Sequence, residues 1–79
     1  MNDTEKKIRD IVAAMGNIGP DFDSKAHFFR DLGVESVKAI ELLFELEDVF
    51  GIGLPDEDYN DVRNLDELVV LVDKLQAEA

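Results

Sequence analysis

The sequence contains no cysteine, one histidine and few bases. Without cysteine there is no disulfide framework, no thiolate zinc site and no cysteine nucleophile. A single histidine, His27, excludes a histidine-rich metal site. No apolar run approaches the length of a membrane span, and the N-terminal residues hold no signal-peptide apolar core. A soluble, cytoplasmic protein is therefore expected. The chain has 79 residues, so one domain over 1–79 is expected, with a modest core and little room for a deep catalytic cleft.

Lysine and arginine number eight against nineteen aspartates and glutamates, for a net charge of −11. The imbalance is uneven. Residues 1–30 hold five acids and five bases, whereas residues 31–79 hold fourteen acids and three bases. Direct nucleic-acid binding is not expected on this balance, because phosphate contacts need basic patches. A basic protein partner would instead be steered toward residues 31–79.

Apolar spacing reads as helices throughout. Ile8, Ile11, Val12 and Met15 form one stripe, which predicts a helix over Asp3–Met15, with Asn2 and Glu5 resembling a capping box. A long connection follows over 16–35. Phe28, Phe29 and Leu32 are its expected anchors, with a short helical turn near Ser24–Phe29. A packing or surface role is expected for His27, which has no partner ligand.

A second helix is predicted over Ser36–Phe50, with Ala39, Leu42, Leu43, Leu46, Val49 and Phe50 as its core stripe and Gly51 just past its end. Val37, Ile40 and Phe44 form a second, narrower apolar row among acids. That row either completes the core or faces a partner, and completion is the default for each residue alone. After "GIGLP" a short helix is expected from Asp56 to about Val62. A last helix should be capped by Asn64 with Glu67, burying Leu65, Leu68, Val69, Val72 and Leu75. The fold class is thus all-α: a small four-helix bundle of three main helices and one short one.

Three chemistries compete. Carboxylate catalysis is disfavoured, since acids also decorate ordinary solvated helices and the core is too small for a conventional pocket. Calcium is suggested by "DEDYNDVRNLDE", where Asp56, Asp58, Asn60 and Glu67 occupy positions one, three, five and twelve of an EF-hand loop. Against it, Asp61 stands where the loop's sharp turn demands glycine, and no entering helix precedes Pro55. The third chemistry is covalent attachment at Ser36, a hydroxyl at a loop–helix junction. Its bland alternative is an N-cap on an unmodified, acidic helical interaction module.

The segment "FFRDLGVESVKAIELLFELEDVFGIGLPDED" resembles the acyl carrier protein family. The family pattern of F-x-x-D-L-G is met by Phe28, Asp31, Leu32 and Gly33, and its D-S-L triplet by Glu35, Ser36 and Val37. The rest follows in order through Glu41–Leu42, Leu46–Glu47, Phe50–Gly51–Ile52 and Leu54–Pro55–Asp56. The resemblance implies a carrier, not an enzyme. It implies that Ser36 bears a 4′-phosphopantetheine, installed from coenzyme A by a magnesium-dependent phosphopantetheinyl transferase.

By the same resemblance, Glu35, Val37, Ile40, Glu41, Phe44, Glu47 and Asp48 dock partner enzymes, and Leu46, Leu54, Val62 and Leu68 line an acyl cavity. The implied partners are acyl-handling enzymes with basic patches, such as a ketosynthase, acyltransferase or ligase, of fatty-acid, lipid or polyketide biosynthesis. A monomer with no membrane span is implied. The chain departs from the pattern at Glu35 and Val37, in place of Asp and Leu, and at Lys38, Val49 and Tyr59. These differences point to a specialised carrier.

Overall fold

The computed structural model describes residues 3–78. It contains four α-helices: α1 (Asp3–Gly16), α2 (Lys38–Phe50), α3 (Asp56–Asn60) and α4 (Leu65–Glu78). No strand occurs among the described residues, and the molecule is the small all-α bundle that the apolar spacing predicts. The expected cap at Asn2 lies outside the described residues.

The three long helices meet because each buries one stripe. α1 packs against both α2 and α4, and α3 leans on α4. Ile8 and Val12 of α1, Leu42 and Leu46 of α2, and Leu65, Leu68 and Val72 of α4 form the centre, closed by Phe28, Val34 and Leu54. Each such side chain contributes about 1.5–3 kcal/mol by leaving water.

The helix ends explain where the chain turns. Gly51 adopts φ 64°, a left-handed conformation that suits glycine, and its N–H donates to the Glu47 carbonyl at 2.9 Å. The Ile52 N–H donates to the same carbonyl at 3.3 Å. At the start of α4, the Asn64 side-chain oxygen accepts the Glu67 N–H at 2.9 Å. The Glu67 carboxylate reaches back to the Arg63 N–H at 2.8 Å, one residue earlier than a standard capping box.

The connection 17–37 is held in three ways. Arg9 donates to the carbonyls of Pro20 and Phe22, and its guanidinium lies 4.7 Å from the centre of the Phe22 ring. The Phe28 N–H donates to the Arg63 carbonyl at 2.9 Å, and the Asp66 N–H to the Ser24 carbonyl at 3.2 Å, which ties the connection to the start of α4. His27 caps a single helical turn: its Nδ1 accepts the N–H groups of Phe29 at 3.2 Å and Arg30 at 3.1 Å.

Several expectations need correction. α2 begins at Lys38 rather than Ser36, because residues 36 and 37 sit in a tighter turn with i→i+3 hydrogen bonds. The helical turn in the connection starts at His27, later than expected. α3 stops at Asn60, where Asp61 and Val62 close a turn through N–H donation to Asp58 and Tyr59. Val49 and Phe29 are exposed rather than core or anchor residues. Phe28 is the buried member of its pair, as the two side chains leave the turn in different directions.

Candidate functional site at the start of helix α2

The chain reaches α2 through Gly33, whose φ of 72° again suits glycine, and Val34, whose side chain is buried and whose N–H donates to the Phe28 carbonyl at 2.9 Å. Glu35, Ser36 and Val37 then stand exposed on an anchored base. The Lys38 N–H donates to the Glu35 carbonyl at 2.9 Å, and the Ala39 N–H to the Ser36 carbonyl at 3.1 Å.

No side chain caps α2. Ser36 is exposed, and its hydroxyl makes no hydrogen bond among the described residues. The N-cap alternative therefore has no support in the geometry. The N–H groups of Ser36 and Val37 also find no protein acceptor among the described residues, and they lie at the positive end of the α2 dipole. A phosphate on the Ser36 oxygen would meet these donors. The residues thus fit a phosphate-linked group. The second serine, Ser24, is half-buried within the connection.

The apolar row continues from this junction. Val37 is 66% exposed, Ile40 60% and Phe44 62%, so the row faces solvent instead of completing the core. Glu35, Glu41 and Asp48 are exposed beside it. Glu47 differs, because its half-buried carboxylate accepts the Leu54 N–H at 2.9 Å and holds the loop after α2.

An apolar pocket of ≈ 70 Å³ opens beside the same junction, between Val12 and Met15 of α1, Val34, Leu42 and Tyr59. Of the residues expected to line a cavity, only Val62 borders it. Leu46, Leu54 and Leu68 are buried in the closed core, packed among side chains of α1 and α4. The pocket is small, since a dry cavity of about 150 Å³ is what accepts a benzene-sized guest. Tyr59 forms one wall and donates its O–H to the Ala39 carbonyl at 2.7 Å. Burial pushes its phenol up to about 12. Asp31 moves the other way: the His27 N–H donated to its carboxylate at 2.9 Å, helped by Arg30, holds it below the usual carboxylate range.

The calcium alternative fails on conformation. Asp56, Asp58 and Asn60 lie on helix α3 instead of a loop, and Glu67 is engaged by the Arg63 N–H. Sequence reasoning did not anticipate the two-donor cap at His27 or the role of Met15 in the pocket. Only the single histidine beside a helix-start acid pattern (His27, Asp31) signalled the former.

A small helical bundle with a free hydroxyl at a helix start, an exposed apolar row and surrounding acids has the features of a carrier domain. The family model for the phosphopantetheine attachment site matches residues 6–72, and the chain belongs to that family. It is an acyl-carrier-type protein, a carrier that bears 4′-phosphopantetheine covalently.

Proposed function

We propose that Ser36 is the attachment residue and that the protein carries acyl intermediates of fatty-acid, lipid or polyketide biosynthesis between cytoplasmic enzymes. The observation that carries this reading is the exposed, hydrogen-bond-free Ser36 hydroxyl beside unpartnered N–H groups at the start of α2. The attached group supplies a thiol, which a chain without cysteine lacks, and so permits thioester chemistry. Ser36 contributes the oxygen of the phosphodiester, and the nearby N–H groups stabilise its charge.

Glu35, Glu41 and Asp48 steer basic partners, while Val37, Ile40 and Phe44 supply the contact area. These partners comprise a phosphopantetheinyl transferase and acyl-handling enzymes such as a ketosynthase, acyltransferase or ligase. Glu47 acts behind this surface by holding the loop after α2. The small pocket walled by Tyr59 supports a specialised carrier with a short or partly enclosed cargo.

Intact-mass spectrometry tests the reading. Incubation with a broad-specificity transferase, coenzyme A and magnesium should add one phosphopantetheine to the wild type and to Ser24→Ala, but none to Ser36→Ala. Modification of Ser36→Ala, or none of the wild type with several transferases, would refute it.

A further inference from the structure

The apolar pocket is not the only recess near Ser36. A second, polar cleft of ≈ 340 Å³ lies between the end of α1 and the residues that flank Ser36. Ala14, Met15, Gly16 and Asn17 form one wall, and Gly33, Glu35 and Lys38 the other. Asn17 adopts φ 54° and ends α1, and the carbonyls of Met15 and Gly16 accept no hydrogen bond among the described residues. The α1 wall thus presents free acceptors.

Lys38 is the sole base between Asp31 and Val62. Its side chain is partly exposed, and its Nζ lies 3.7 Å from a Glu41 carboxylate oxygen. Exposed ion pairs of this kind hold their partners only weakly. The ammonium is therefore available to a stronger local anion. Glu35 and Lys38 are joined by a main-chain hydrogen bond and stand on the same rim, with Ser36 between them. A phosphodiester on Ser36 would be repelled by the Glu35 carboxylate and attracted by the Lys38 ammonium, whose flexible four-carbon stem can follow it.

We propose that Lys38 is a positioning residue for the phosphate on Ser36 and that the polar cleft cradles the amide-bearing part of the attached arm. The arm's amide N–H groups match the free carbonyls of Met15 and Gly16. Lys38 turns the phosphate away from Glu35 and aims the arm toward α1. Met15 also walls the apolar pocket, so the cleft leads the arm along the pocket's flank. The proposal rests on Ser36 being the attachment residue.

The test uses NMR on the modified protein, with mass spectrometry first establishing that Ser36 is loaded. Conversion from the unmodified to the modified form is expected to shift the amides of Asn17 and Gly33 and to give cross-peaks from the arm to the Ala14 methyl. Lys38→Gln should abolish these and move the phosphorus resonance, while the Val37 amide still shifts. Lys38→Arg should restore both.

Unshifted Asn17 and Gly33 in the modified wild type, or the same pattern in Lys38→Gln, would overturn the proposal while leaving the attachment reading intact. Failure to load Ser36 at all would overturn both. Wild-type cross-peaks decide the cleft assignment even if a variant folds poorly.

Discussion

The Tyr59 phenol donates a hydrogen bond of 2.7 Å to the Ala39 carbonyl, twenty positions earlier in the chain. That one bond fastens α3, a helix of five residues, to the first turn of α2. Tyr59→Phe keeps the ring in the pocket wall and removes the donor. It should cost about 0.5–1.5 kcal/mol in urea unfolding, the usual net worth of such a bond. Tyr59→Ala removes the wall as well and should cost more. It should also raise the stabilisation gained from a medium-length acyl cargo, read as the difference in Tm between loaded and unloaded protein.

The same phenol predicts an alkaline limit. Its pKa is about 12 in the fold, above the ordinary tyrosine value of 10.0. The folded state therefore holds the proton more tightly than the unfolded chain. This contribution is fully present below pH 10 and is lost as pH rises toward 12. The free energy of unfolding measured across that window should fall more steeply for the wild type than for Tyr59→Phe.

Asp31 predicts the opposite limb. Its carboxylate is held below 3.8 by the His27 N–H, so its contribution is present above that value and disappears as pH falls through the lowered one. The stability difference between wild type and Asp31→Asn should shrink as acid titrates the carboxyl. A difference that stays constant down to pH 2 would contradict this.

His27 should behave as a helix cap. His27→Ala leaves the Phe29 and Arg30 N–H groups without an acceptor and should cost about 1 kcal/mol. Asparagine, which offers an oxygen at a similar reach, should recover part of it. Ser36→Ala should lie within about 0.5 kcal/mol of wild type, because the hydroxyl bonds to nothing in the fold. Chemical denaturation of the three variants side by side checks the ranking.

Charge on α2 predicts salt-dependent kinetics. Glu41→Lys and Asp48→Lys should slow loading by a basic transferase severalfold at low salt, with the difference narrowing near 1 M, where screening is effective within about 3 Å. Phe44→Ala should raise KM at every ionic strength, because it removes contact area rather than charge.

The stripes of α1, α2 and α4 were legible because apolar residues recur at helical spacing and no other element competes for them. Gly51 and Asn64 were legible because left-handed and capping geometries favour those residue types. The exposed row Val37, Ile40 and Phe44 was not decided by spacing: a helix pattern says which residues share a face, not what covers it. The position of Ser36 was nearer to hand than its conformation. A serine before an apolar run reads as a cap, yet the i→i+3 bonds at Lys38 and Ala39 take up the first turn and leave its hydroxyl free. The cavity was the least legible part. Its walls come from α1, the connection, α2 and α3 together, and only packing reveals that Leu46, Leu54 and Leu68 are closed off while Met15 and Tyr59 are not.

Arg9 bears on how quickly the molecule forms. Its guanidinium reaches carbonyls eleven and thirteen positions away, well before the chain enters α2. The residues between α1 and α2 are thereby divided into two short closures instead of one long one. Contacts of such low sequence separation favour rapid folding, on the order of microseconds to milliseconds for helical bundles. In kinetic terms, the longest loop of this protein is two brief ones joined at Phe22.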